Sequence, residues 1–143
     1  VVRLFGFDPK VAFVSHSTFG QPVTSRTKHI RRAVDILKEK NVNFEFDGDM
    51  QPDVALNKDY KSLYPFSKIV GNANILIMPG QHSAAISYKM MKELGDTKVI
   101  GPLLIGLGLP IEIAPLRTST SELINLASIA AYSADVIDYK KNS

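Results

Sequence analysis

Three groups of side chains have the types and spacing to do chemistry, and none of it is thiol chemistry, because the chain has no cysteine. The first is Ser15, Ser17 and Thr18 in the polar stretch SHSTFGQPVTS, directly after the apolar run Val11 to Val14. Hydroxyls at the C-terminal end of a strand are where open α/β sheets place their ligands, although loop hydroxyls also serve simply to satisfy loop backbone. The second is Arg26, Lys28, Arg31 and Arg32, crowded into the start of one helix. The helix dipole is already positive there, so each cation costs a few tenths to ~1 kcal/mol unless it is screened or meets an anion. At about 100° per residue Lys28 shares a face with Arg31 and Arg32, whereas Arg26 points away from it. The third group is carboxylate: Asp47, Asp49 and Asp53, and separately Glu122. The aspartates lack EF-hand spacing and have no histidine near, so no metal site is expected. Glu122 closes the S-x-x-E of Ser119-Thr120-Ser121-Glu122, a helix capping box.

Other catalytic signatures are missing. Gly106-Leu107-Gly108 does not extend to G-x-G-x-x-G, and no P-loop, G-x-S-x-G or H-E-x-x-H occurs. His16, His29 and His82 are dispersed and read as turn or surface residues.

The elements that must position these groups follow from hydrophobic period. Val11 to Val14 is a buried strand, and Arg26 to Lys40 a helix with Ile30, Ala33, Val34 and Leu37 inward. Phe44-Glu45-Phe46 alternates, Asp47-Gly48 signals a turn, and Gln51-Pro52 to Leu56 extends the strand or starts a short helix. Asn57 to Tyr64 reads as a charged loop. Ile75 to Met78 is a second buried strand closed by Pro79-Gly80, and Ser83 is placed to cap the helix that follows. Ile86, Met90 and Leu94 share a face of that helix, predicting one stripe against a core until Gly95 ends it. Val99 to Leu109 is nearly continuous apolar sequence, the pattern of a strand covered on both faces. Strand, helix and strand together predict a βαβ unit. Ile111 to Ile113 is a further short strand, and Glu122 to about Ala134 a last helix with Leu123, Leu126, Ala127 and Ala130 inward.

Composition sets the outer limits. A chain of 143 residues is ordinarily one domain that buries roughly 70% of its extended surface. It is 45% apolar and 22% charged, as soluble globular proteins are, with no run approaching the ~20 apolar residues of a membrane helix. The net charge of +3 comes from residues 1–70, which hold 11 Lys/Arg against 8 Asp/Glu, and is too small to suggest nucleic acid. The start at Val1 without methionine suggests part of something longer.

Read together, VAFVSHSTFG, IRRAVDILKE, FDGDMQPDVALN, YPFSKIVGNANILIMPG, YKMMKELG, VIGPLLIGL and ELINLASIAA resemble the phosphate acetyl/butyryltransferase family, in order and from about Arg3 to Ala134. The likeness is strongest to the phosphotransacetylase-like domain at the C-terminus of bacterial NADP-dependent malic enzymes, through SHSTFG and MPGQHSAAISYKMMKELG. The resemblance implies a three-layer α/β/α fold with a mostly parallel sheet, like isocitrate and isopropylmalate dehydrogenases. It also implies that residues 1–143 are the C-terminal part of a transferase-like domain about twice as long.

In the transferases an R-G-x-S-x-x-D-I-V pattern supplies an arginine that stabilises the anionic acyl-phosphate partner and an aspartate that helps deprotonate the thiol of coenzyme A. Alignment of Glu122-Leu123-Ile124-Asn125 puts Glu122 at the carboxylate position, Leu116 at the arginine position and Arg117 where the glycine belongs. Losing that guanidinium makes transferase chemistry improbable. The resemblance therefore implies a regulatory acyl-CoA-binding and oligomerisation domain of a cytoplasmic NADP-dependent malic enzyme. Acetyl-CoA is then the effector, while NADP and a divalent metal belong only to an N-terminal region absent from this chain. The expected partners are an acyl-CoA or acyl phosphate and further copies of the chain, with no nucleic acid, membrane or metal. Candidate ligand-binding residues are Ser15, Ser17, Thr18, Lys28, Arg32 and Arg117, with Glu122 the one candidate catalytic residue. The alternatives are a phosphate acetyltransferase and a domain that only dimerises.

Overall fold

The computed structural model describes residues 2–96 and 98–141. By internal contacts the chain divides into two units, residues 1–87 and 88–143. A 3-10 turn at Val2–Phe5 opens the first unit. β1 (Lys10–Val14), α1 (Ser25–Glu39), β2 (Glu45–Met50), two short helices α2 (Pro52–Leu56) and α3 (Lys58–Lys61), and β3 (Ile75–Ile77) follow. α4 (Gln81–Leu94) runs across the division, and α5 (Thr120–Lys141) lies in the second unit.

The three strands form one parallel sheet in the order β2-β1-β3. α1 connects β1 to β2 on one side, and the chain then crosses to place β3 on the other, so the order reverses at β1. Open α/β sheets bind ligands outside the carboxyl ends of the strands at such a point. The loop holding Ser15 and Ser17 starts there. Ala12, Met50, Val54, Ala55, Ile69 and Ala73 make the core under the sheet, with Phe19, Tyr64 and Leu76 packed against it. Val34 and Thr27 are the buried residues of α1, and Ile30, Ala33 and Leu37 are half-buried beside them. Among the described residues no helix is long and apolar enough to cross a membrane.

Several expectations are corrected. β2 does not turn at Asp47-Gly48 but runs through it, because Gly48 (φ 149°) lets the strand pass against Phe13. A Cβ at position 48 would stand 2.7 Å from both the Cβ and the carbonyl oxygen of Phe13. The pairing slips there, from Phe13 opposite Gly48 to Val14 opposite Met50, leaving Asp49 as the extra residue of a bulge. Asn57 to Tyr64 is not all loop, since the Asn57 side chain accepts from Asp59 N–H at 2.9 Å and starts α3. Ser83 does not stand outside the helix as its cap: α4 already begins at Gln81, and the Ser83 hydroxyl donates back to Gly80 O at 2.8 Å.

The largest correction concerns residues 99–109. They form no strand, only a single bridge between Leu103 and Glu112. A parallel strand exists through its ladder, and Gly101, Pro102, Gly106 and Gly108 interrupt the run that would supply one. The βαβ unit therefore stops at β3 and α4. Leu104, Ile105, Leu107 and Leu109 are exposed, as are Ile86, Met90 and Leu94 on the helix stripe that the spacing assigned to a core. In α5 Leu126 is buried, but Leu123 is exposed on the face expected to turn inward.

Candidate functional site

In the first unit the bulge in β2 turns the Asp49 side chain toward the loop after β1. Asp49 and Ser17 are 0% exposed and Ser15 5%. The Ser17 hydroxyl donates to Asp49 Oδ2 in a short hydrogen bond, and its oxygen lies 3.2 Å from Ser15 Oγ. Ser17 N–H points at the same Ser15 oxygen at 3.4 Å. Two backbone bonds hold the pieces in register, Ser15 N–H to Met50 O at 2.9 Å and Phe19 N–H to Asp49 O at 2.6 Å. Asp49 Oδ1, equally buried, has no hydrogen-bond partner. Ser15 and Ser17 are thus brought together, but Thr18 serves the backbone: its hydroxyl accepts from Gln51 N–H at 3.3 Å, and its main chain exchanges bonds with Gln21. The sequence offers Asp49 only as a candidate metal group with Asp47 and Asp53, and its place beside Ser15 and Ser17 is what sequence reasoning misses. The only signal for it is a glycine inside a strand, which marks a bulge.

The aspartates do not gather. Asp47 accepts from Gly48 N–H at 2.9 Å and Lys68 N–H at 2.7 Å, and Asp53 accepts from Val54 N–H at 2.9 Å.

Lys28, Arg31 and Arg32 line one cavity on α1, and Arg26 is not among its lining residues. Thr24 caps α1, and Thr24 and Thr27 exchange a full capping box at 3.2 and 2.8 Å, so hydroxyls of the chain already serve the first turn. The cavity lined by Lys28, Arg31 and Arg32, about 380 Å³, reaches from Val23 and Thr27 at the helix start to Asp35. Arg32 also lies 3.9 Å from Glu39.

In the second unit Glu122 is engaged on both oxygens. Oε1 accepts from Lys92 Nζ at 2.8 Å, and Oε2 from Ser119 N–H at 2.7 Å and Ser119 Oγ at 2.9 Å. Glu122 N–H returns a bond to Ser119 Oγ at 3.3 Å, completing the expected capping box. The Lys92 ammonium, then the Ser119 backbone and hydroxyl, draw the Glu122 carboxyl down to about 2, and Glu122 in turn raises Lys92. A cavity of about 100 Å³ opens beside this pair, lined also by Gly101, Arg117, Thr118 and Asn125. Arg117 therefore shares a cavity with Glu122. Leu116, at the position where the transferase pattern has arginine, is fully exposed at 107%.

Residues 1–131 match the family described as Phosphate acetyl/butaryl transferase. An NADP-dependent malic enzyme of Rhizobium meliloti is 48% identical over 134 residues, which are 94% of this chain and 18% of that protein. A phosphate acetyltransferase of Bacillus subtilis is 33% identical over 133 residues, 92% of this chain and 41% of that protein. Among solved structures, a phosphotransacetylase from Streptococcus pyogenes superposes with a TM-score of 0.85 at 32% identity, over 93% of this chain and 41% of that one. The chain thus spans about a fifth of such malic enzymes and about two fifths of the transacetylases it matches.

Proposed function

The chain belongs to the phosphate acetyl/butyryl transferase family, and within it we propose that this chain is a regulatory acyl-CoA-binding and oligomerisation domain of an NADP-dependent malic enzyme. On this reading malate decarboxylation, with its NADP and divalent metal, belongs to a region outside these residues. The observation that carries the proposal is the state of Glu122. A base that takes the thiol proton of coenzyme A needs a free oxygen and a pKa near the working pH. Glu122 has neither, being bonded on both oxygens and held at about 2. An ordinary thiol titrates near ~8.5, well above this, so proton transfer from that thiol to Glu122 is strongly uphill. Leu116 supplies no guanidinium for an acyl phosphate. Binding without turnover is what these side chains support, through Arg117 beside Glu122, through Ser15 and Ser17, and through Lys28 and Arg32 for the ligand's phosphates.

The oligomerisation half of the proposal rests on the uncovered apolar residues. Met90 and Leu94 on α4 and Leu123 and Ile124 on α5 are exposed, and a contiguous patch of such residues ordinarily marks an interface. A second copy of the chain is the expected partner. A folded monomer at ~100 μM in sedimentation would contradict it, since a stable pair with micromolar or tighter affinity is associated at that concentration.

The phosphate acetyltransferase reading is favoured by relatives of that name at 33% identity and is separated by one assay. Full-length protein given acetyl-CoA and phosphate forms no acetyl phosphate, yet acetyl-CoA at ~100 times its dissociation constant stabilises it by about 2.7 kcal/mol. Acetyl phosphate turnover that vanishes in Glu122→Ala and survives in Arg117→Ala would overturn the regulatory reading.

A further inference from the structure

A cavity of about 350 Å³ lies between α1, the edge strand β2 and the segment around Phe66, wholly within the first unit. That volume falls in the range of small-ligand sites. One wall is aromatic. Phe19 and Phe66 meet edge to face at 4.8 Å, and Tyr64 supports both at 5.4 and 6.1 Å. Phe66 is nevertheless exposed, so part of a flat apolar ring is left open beside the cavity. The other wall is cationic, with Arg31, Lys38 and Lys68.

The charges there are unevenly committed. Lys38 is paired with Asp35 at 2.9 Å. Asp47 turns both oxygens to backbone N–H groups of Gly48 and Lys68. Among the described residues neither Arg31 nor Lys68 forms an ion pair. Arg31 and Lys68 therefore face one cavity outside any ion pair, with the Asp35 carboxylate acting on Arg31 electrostatically while it is bonded to Lys38. Arg31 is also seated: Gly20, at φ 89°, has no Cβ, and a Cβ there would collide with the guanidinium. The same Arg31 lines the neighbouring cavity that holds Lys28 and Arg32, so it stands where the two cavities meet.

An exposed ring, two cations outside any ion pair and the Lys28 and Arg32 pair one step along fit a ligand with a planar base at one end and two adjacent phosphates. Base–aromatic stacking is sequence-tolerant, and a guanidinium binds phosphate through two parallel N–H bonds. We infer that Phe66, Lys68 and Arg31 form a binding site for a nucleoside 5′-diphosphate group, either free or as the end of a larger cofactor. The base would lie on Phe66, and the phosphates would lie between Lys68 and Arg31. The inference does not need the acyl-CoA reading, because a free nucleotide fits it equally.

The test is photolabelling of full-length protein with 8-azido-ADP, followed by peptide mapping and competition with ADP, acetyl-CoA or adenosine. The expected label falls on peptides containing Phe19 or Phe66. ADP should clear it, and adenosine at the same concentration should not. Clearance by acetyl-CoA as well would identify the larger cofactor as the source, and failure of acetyl-CoA to clear it would identify the free nucleotide. Labelling in Arg31→Gln and Lys68→Gln should fall at least tenfold with unchanged melting temperatures, and Gly20→Ala should lower it by displacing the guanidinium. Label confined to other peptides, or undiminished in both charge variants, would overturn the site. A lasting acetyl-CoA thermal shift in that case leaves the regulatory reading intact, so the two proposals fail separately.

Discussion

The two carboxylates that matter most here have opposite circumstances. Asp49 in the first unit is wholly buried, has one oxygen bonded to Ser17 and leaves the other without a donor. Glu122 in the second unit is partly exposed and has both oxygens taken, by Lys92 and Ser119. Sequence position favours Glu122 as the chemical residue, since the family resemblance would put it at the carboxylate position. Bonding favours the reverse. A carboxylate saturated by a cation and a helix cap is a structural part, whereas a buried one with an unmet acceptor still has an interaction to make. The surroundings differ in the same sense. β1, β2 and their core enclose Asp49, while the residues around Glu122 leave most of their apolar side chains uncovered.

The sharpest way to break this contrast is to substitute one glycine in each unit. Gly48→Ala forces a Cβ to 2.7 Å from Phe13 in a backbone conformation that L residues avoid. It should cost on the order of 3 kcal/mol in denaturant unfolding, from strain and overpacking together. Gly106→Ala also meets a positive φ, 81°, but opens into free space and should cost only about 1 kcal/mol. Equal losses would mean that Gly48 does not mark the tight join between β1 and β2.

Next in size is Ser17→Ala. It removes the donor that Asp49 has and leaves a buried carboxylate unserved, at a cost of about 1–3 kcal/mol. Asp49→Asn in the same background should recover part of the loss, because an amide is cheaper to bury than an unpaired charge. No recovery would show that the pair is not coupled.

Much of the fold was legible in advance. β1, α1 and β3 follow from apolar runs and helical spacing, and the cap at Ser119 and Glu122 from its four-residue signature. Asp47-Gly48 misled because the same dipeptide suits a turn and a close strand crossing, and only Phe13 on the neighbouring strand decides between them. The stripe Ile86, Met90 and Leu94 and the run 99–109 misled for a shared reason. Apolar pattern states that a face is to be covered but not by what, and here the described residues do not cover it. For the site, Ser15 and Ser17 could be placed from the end of a strand. Asp49 could not, because its role depends on a bulge that shifts the register by one residue.

The smallest expected effect appears only in acid. Because Glu122 is held at about 2, below its ordinary carboxyl value of 4.5, its ion pair and cap stabilise the fold fully above that ordinary value. The contribution is lost as pH falls toward 2. Glu122→Gln should therefore be less stable than the parent at neutral pH, and the gap should close between pH 4.5 and 2. A gap that stays constant over that interval would place the effect in packing rather than charge.

The most direct measurement is the titration of Glu122 itself, followed by the carboxyl carbon resonance of isotopically labelled glutamate and assigned by loss of the signal in Glu122→Gln. The expected midpoint lies near 2, moving up toward the ordinary glutamate value in Lys92→Met. A midpoint at or above the ordinary value in the unsubstituted protein would contradict the account, because Glu122 would then be free to take a proton and the transferase reading would stand.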